Sequence, residues 1–210
     1  MFAGFPPEAL TFYAGLEADN TKAYWDAHRE TYETAIREPV EELTYELQRE
    51  FGAAKVFRPY RDVRFSKDKT PYKTHQGAYA REDGHTVAAR YFEISAAGLR
   101  AGAGVWELSS EQLAKIRRAI DEPVHGAELE RIVASLRERG LSFWPPELKT
   151  APRGYPKDHP RIALLRCKRH AAMTERETGP WLHERAAMDR IAETWRACTP
   201  LVRWIERHAG

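Results

Sequence analysis

A run of closely spaced strand patterns in the first half of the chain most constrains its fold. Val63 and Phe65 alternate with Asp62, Arg64 and Ser66, as in a strand with one buried face. Gln76 to Arg81, Thr86 to Ala96 and Leu99 to Trp106 continue in kind, divided by turn signals at Asp83-Gly84 and Ala97-Gly98. Connections this short cannot hold the crossover helix that parallel neighbours require. The expectation is therefore an antiparallel sheet made mainly from about residues 56–106.

Helical periods flank that sheet on both sides. Pro6-Pro7 precedes an apolar run through Leu10, Tyr13 and Leu16, which suits a first helix with proline in its opening turn. Asn20 reads as the N-cap of a second helix carrying Tyr24, His28, Tyr32 and Ile36 on one stripe. Pro39 opens a third through Leu43, Leu47 and Phe51, closed at Gly52. Beyond Ser109, Leu113, Ile116 and Ile120 form one stripe. Leu129, Ile132, Val133 and Leu136 form another, which Gly140 closes. The stretch PPELKTAPRGYPKDHP, residues 145–160, reads as a long ordered loop anchored by Leu148 and Tyr155. A last helix places Trp181, Met188, Ile191, Trp195, Cys198 and Val202 at helical spacing and bends near Pro200. The fold expected is α+β, a single domain over residues 1–210 with the sheet packed against N-terminal and C-terminal helices.

Composition narrows the functional classes. With 42% hydrophobic and 30% charged residues the 210-residue chain is an ordinary globular protein, and its net charge of +2 gives no molecule-wide basic field for nucleic acid. Any such partner would use a local patch. The N-terminal MFAGFPPEAL lacks a basic n-region and an apolar h-region, and no later segment runs about 18 residues without charge, so no membrane association and a cytosolic location are expected. Cys167 and Cys198 have no CxxC spacing and read as buried free thiols.

One stretch departs from this evenness. RPYRDVRFSKDKTPYKTH, residues 58–75, packs Arg58, Arg61, Arg64, Lys67, Lys69 and Lys73 around only Asp62 and Asp68. On strand parity Arg61 lies on the buried side and needs a carboxylate or an anion, while Asp62 and Arg64 share the opposite face. The SKDKTPYKT loop adds ammonium groups and backbone N–H donors, a combination suited to an oxyanion, above all phosphate. The competing reading is structural: basic residues blunt sheet edges, and Arg–carboxylate pairs pin loops. The block lacks GxxxxGK[ST] and is no P-loop. Gly102-Ala103-Gly104-Val105-Trp106 lacks the third glycine of a dinucleotide fingerprint and reads as close backbone packing.

Other constellations are weaker. Arg153, Lys157, Asp158, His159 and Arg161 crowd a turn, where Asp158 as N-cap with Pro160 at the first helical position is favoured over an Asp–His acid/base pair. No HExxH occurs, and His125 with Glu128 is the one short His/Glu pair at helical spacing, so no metal is expected. Neither GxSxG nor a nucleophilic cysteine signature appears. Tyr24, Trp25 and Tyr32 read as core before pocket lining.

With these segments placed, FAGFPPEALTFYAGLEADNTKAYWDAHRETYE, RDVRFSKDKTPYKTH, YFEISAAGLRAGAGVW and APRGYPKDHPRIALLRCK occur in the order of the bacterial and fungal domain-of-unknown-function family 2461, which the chain resembles over nearly its whole length. Asp19-Asn20 stands where the family carries a paired asparagine. The resemblance implies no particular activity. From the residues, the leading expectation is a site for a phosphate-bearing or other anionic ligand, with or without catalysis. Arg61, Arg64, Lys67, Lys69 and Lys73 would hold the anion, Asp62 and Asp68 would orient them, and Arg153 and His159 would complete the wall. The alternative is a nucleic-acid or protein interaction module using the same patch. Catalytic residues, cofactors and oligomeric state are not encoded in any motif of the sequence.

Overall fold

The computed structural model describes residues 1–64 and 67–210. The helices that lead the chain are α1 (Glu8–Ala18), α2 (Lys22–Ala27), α3 (Arg29–Tyr32) and α4 (Glu38–Phe51), followed by the strands β1 (Ala53–Val56), β2 (His75–Arg81), β3 (Ala89–Ser95) and β4 (Gly98–Val105). Then come α5 (Ser110–Asp121), α6 (Pro123–Glu138), β5 (Ser142–Phe143), α7 (Ile162–Leu165), β6 (His170–Met173), α8 (Ala186–Ala197) and α9 (Thr199–Ala209). The six strands form one antiparallel sheet in the order β1-β2-β3-β4-β6-β5, so the fold is α+β as expected. The sheet takes in β5 and β6 from beyond residue 106, two short segments with no alternating pattern to announce them. The chain divides into two compact units. One holds Met1–Ala80, Tyr91–Ala101 and Arg176–Glu193; the other holds Arg81–Arg90, Gly102–Glu175 and Thr194–Gly210.

In the first unit, α4 buries Val40, Leu43, Leu47 and Phe51 along one face, each such side chain contributing about 1.5–3 kcal/mol of transfer free energy. Gly52, at φ 85°, ends the helix in a conformation that side chains avoid. Between α3 and α4 the chain does not stop before Pro39 but widens into a π-helical turn, Glu33–Arg37. The proline ring, lacking an N–H and crowding the carbonyl four residues back, accounts for that wider turn. Asn20 is not the N-cap of α2. Thr21 caps it, accepting the Tyr24 N–H, and frees Asn20 for a longer-range role. Aromatic rings fill the space behind these helices: Trp25 stacks on Tyr72 at 4.3 Å, and Phe12 meets Tyr13, Trp25 and Tyr32.

The strand expected around Val63 does not form among the described residues; Phe65 and Ser66, which belonged to the same expectation, lie outside them. Asp62 accepts the N–H of Arg64, and Asp68 accepts both the N–H and the hydroxyl of Thr70. Such local turns satisfy the backbone in place of a strand ladder. The segment is a loop closed at its neck. Tyr60 and Tyr72 form an antiparallel bridge, flanked by Arg61 N–H to the Pro71 carbonyl at 2.9 Å and Lys73 N–H to the Pro59 carbonyl at 2.8 Å.

In the second unit, β4 pairs with β6 from Gly102 opposite Met173 to Val105 opposite His170. A Cβ on Gly102 would come within 2.0 Å of the Ala172 carbonyl oxygen, and one on Gly104 within 2.3 Å of the His170 oxygen, so both glycines serve close strand approach. Helix α5 begins with a capping box between Ser109 and Gln112. Ile116, Ile120, Leu129, Val133, Leu201 and Trp204 share one buried cluster. Glu206 accepts the N–H groups of Thr86, Val87 and Ala88, which fixes the approach to β3. The last helical pattern is split into three elements: Trp181 lies in a 3₁₀ turn, Met188, Ile191 and Trp195 lie in α8, and Pro200 stands in the first turn of α9, where its missing N–H costs nothing. No described helix is long and apolar enough to cross a membrane.

Candidate functional site

The basic residues of the 58–75 loop fall into two groups. Toward the tip, charges are matched locally. Arg64 forks onto Asp62 (Nε to Oδ1 2.9 Å, Nη2 to Oδ2 2.6 Å), and Arg61 pairs with Asp68. Lys69 donates to the Val63 carbonyl at 2.8 Å, while Lys67 is exposed. Arg61 is therefore not carried into a core; its side chain is 30% exposed and its partner is a loop aspartate. Both aspartates are held below the usual carboxylate range. For Asp62 the main cause is its bond from Arg64; for Asp68 it is the N–H and hydroxyl of Thr70.

At the base of the loop the balance changes. Lys73 is half-buried, lies over the Phe57 ring at 5.1 Å and donates to the Arg58 carbonyl at 3.0 Å. Burial lowers its pKa, and the positive charges of Arg58 and Arg61 lower it further. Two residues on, His75 begins β2. Burial pushes its pKa down; Glu93 pulls the other way, and Lys73, Arg176 and Arg100 add to the depression.

Glu93, in the middle of β3, is the centre of this group. It is 2% exposed, yet two guanidiniums share its Oε1: Arg100 of β4 through Nε at 3.0 Å, and Arg176. Tyr91 donates its hydroxyl to Oε2, and Nε2 of His75 lies 3.7 Å from the same oxygen. Burial alone would raise the Glu93 pKa, but His75, the Tyr91 hydroxyl and the two arginines together hold it low. The Tyr91 hydroxyl stays protonated because burial and the adjacent carboxylate both oppose its ionisation. Gly77 makes room for that ring, since a Cβ there would lie 2.6 Å from the Tyr91 oxygen.

The alternation of β3 and β4 explains the meeting. Tyr91 and Glu93 share one face of β3, and the tight turn at Gly98, at φ 100°, returns Arg100 along β4 within reach of Glu93. Arg176 arrives from 76 residues further along the chain, beside the bridge between Leu99 and Glu177. Sequence reasoning missed Glu93, Tyr91, His75, Arg100 and Arg176. The signal available was a glutamate inside an apolar strand pattern, YFEIS, which a buried carboxylate with cationic partners explains.

Arg153 and His159 belong to the second unit. Arg153 is exposed in the turn before Gly154. His159 is largely buried: its Nδ1 accepts the Arg161 N–H at 2.9 Å and its Nε2 lies 3.1 Å from Asp121 Oδ1. That pattern assigns the proton to Nε2. Asp158 is exposed and does not cap the following helix, α7, which starts at Ile162 rather than Pro160 and has no side-chain cap. The imidazole supplies the acceptor that the aspartate was expected to supply.

Fold and site together define an α+β protein with a cation-rich loop base set against a buried glutamate–arginine network. The chain belongs to the family described as conserved hypothetical protein (DUF2461), whose model matches residues 8–204. A search of curated proteins finds no match to it.

Proposed function

We propose that the protein binds a phosphate-bearing or other anionic ligand at the base of the 58–75 loop, beside the Glu93 network. The supporting observation is charge excess at one place. Arg58 acts on Lys73, and Lys73, Arg100 and Arg176 all act on His75. Among the described residues Glu93 is the acid paired within this group, so four cations, Arg58, Lys73, Arg100 and Arg176, meet one carboxylate. The side chains of Arg100 and Arg176 remain about one-third exposed, at 30% and 36%, so their forks can reach a ligand in solvent while Glu93 orients them from below. His75, neutral near pH 7, is the group able to take up a proton beside such a ligand. A cytosolic setting goes with this reading, because Cys167 and Cys198 are buried free thiols, the state a reducing compartment maintains.

A nucleic-acid or protein partner would draw on the same cations, but Arg64 and Arg61 at the tip are already engaged with Asp62 and Asp68, which favours a small anion at the base. Thermal melts against phosphate, pyrophosphate, a set of phosphorylated metabolites and short DNA and RNA test this. Single-site stabilisation growing as RT ln(1 + [L]/Kd), and lost in Lys73→Met, is the expected result. Oligonucleotide binding that falls steeply with salt, with no response to small anions, would transfer the function to the alternative.

A further inference from the structure

The short His/Glu pair in α6 has a third partner that its spacing does not reveal. His125 and Glu128 lie one helical turn apart, and His208, near the end of α9, faces them. One ligand atom from each of the three lies within 4.8 Å of the others. Corners of a triangle of that side are about 2.8 Å from its centre, against about 2.0–2.2 Å for zinc–nitrogen and zinc–oxygen bonds, so small side-chain rotations close the site.

Several features prepare these atoms. Nε2 of His208 is buried and has no hydrogen-bond partner, which leaves a polar atom withdrawn from water without compensation. The two imidazoles sit 4.5 Å apart, and the Trp204 ring packs against His208 at 4.6 Å. Trp204 also donates to the His125 carbonyl at 3.0 Å, tying α9 to the first turn of α6. Arg207 bonds both oxygens of Glu128, at 3.0 and 3.2 Å, from a single nitrogen. That orients the carboxylate while leaving it lone pairs on the far side. His125, Arg207 and His208 also line a cavity of about 330 Å³ with Lys115, Arg118 and Glu122.

We propose that His125, Glu128 and His208 form a binding site for one divalent transition-metal ion of the zinc class, with its remaining coordination position open to this cavity. Two imidazoles and one carboxylate are donors that suit zinc and cobalt and leave room for water or a ligand oxygen. The cations on the rim would favour an anionic oxygen in that position. This site lies within the second unit and is independent of the anion-binding reading above.

The test uses the tag-free full-length chain stripped with a chelator, then titrated with Zn²⁺ against a chromogenic chelator and with Co²⁺ by visible absorption. One ion per chain is expected, with binding that weakens as pH falls through the histidine range. His125→Ala, His208→Ala and Glu128→Gln should each weaken it by at least about tenfold. His28→Ala, at an exposed histidine of the first unit, should leave it unchanged. Circular dichroism confirms that the variants are folded. Absence of stoichiometric uptake, or uptake that persists in the His125→Ala/His208→Ala double variant, overturns the proposal.

Discussion

Asn20 exchanges two hydrogen bonds with the backbone of Tyr72, fifty-two residues away: its amide donates to the Tyr72 carbonyl at 3.1 Å and its Oδ1 accepts the Tyr72 N–H at 3.0 Å. The side chain thus stands in for a neighbouring strand and holds one edge of the neck of the basic loop. It also keeps Tyr72 in register for stacking on Trp25. Asn20→Ala should lower stability by about 1–3 kcal/mol, because both backbone groups lose their partner in a half-buried place. Asn20→Asp, which keeps an acceptor but loses the donor, should fall between the two. Urea denaturation measures the effect, and faster proteolysis within residues 62–70 should accompany it.

Among the described residues Glu93 is the carboxylate that pairs with both Arg100 and Arg176, so Glu93→Gln should leave both without that counter-charge. The cost is expected to be about 2 kcal/mol, below the 3–5 kcal/mol typical of fully buried pairs because the arginines are partly solvated. Added phosphate should recover more stability in Glu93→Gln than in the wild type. A variant as stable as the wild type in a urea melt would show that the network is not under this electrostatic constraint.

Gly77→Ala tests the same centre sterically. The new methyl would meet the Tyr91 hydroxyl and displace it from Glu93, so a loss of about 1–3 kcal/mol is expected without any change of charge. Differential scanning calorimetry of Gly77→Ala beside Tyr91→Phe separates the clash from the lost hydrogen bond.

His170, on β6, makes no hydrogen bond of normal geometry through either ring nitrogen, and burial pushes its pKa down to about 4 against a smaller opposing pull from the Leu164 backbone. Between pH 6.5 and 4 the unfolded chain therefore binds a proton that the folded chain refuses. Stability should fall as pH drops through that window, by up to about 3 kcal/mol from this residue, and be insensitive to it above the window. His170→Gln, measured by denaturation at pH 7.5 and pH 4.5, should flatten this part of the profile.

At the turn before α7 the order of effects should follow the observed bonds. His159→Ala removes the acceptor of the Arg161 N–H and the contact with Asp121, and is expected to cost about 1–2 kcal/mol. Asp158→Ala should cost little. Paired thermal melts of the two variants decide between them.

The sequence carried the local chemistry of this fold. Asp83-Gly84 and Ala97-Gly98 demanded tight turns, Ser109 and Gln112 supplied a capping box, and Gly52 and Gly140 stopped helices, each through interactions within a few residues. The same locality misled where two local solutions competed. An alternating pattern around Val63 favoured a strand, but Asp62 and Asp68 could satisfy the backbone through their own turns, and among the described residues no strand pairs with this stretch. Likewise Asn20 and Thr21 were both able to cap α2, and only the position of Tyr72 assigned Asn20 elsewhere.

The basic block at 58–75 was legible as charge, but its division into a neutralised tip and an unbalanced base was not. That division depends on His75, on which Lys73, Arg100 and Arg176 all act, and on Glu93, which the two arginines share. By itself the sequence determined helical periods and tight turns, because these are settled between residues close along the chain. Tertiary structure alone decided which charges would share Glu93 and which histidine would face Glu128. Those partners are brought together by the packing of strands and helices that lie far apart in the sequence.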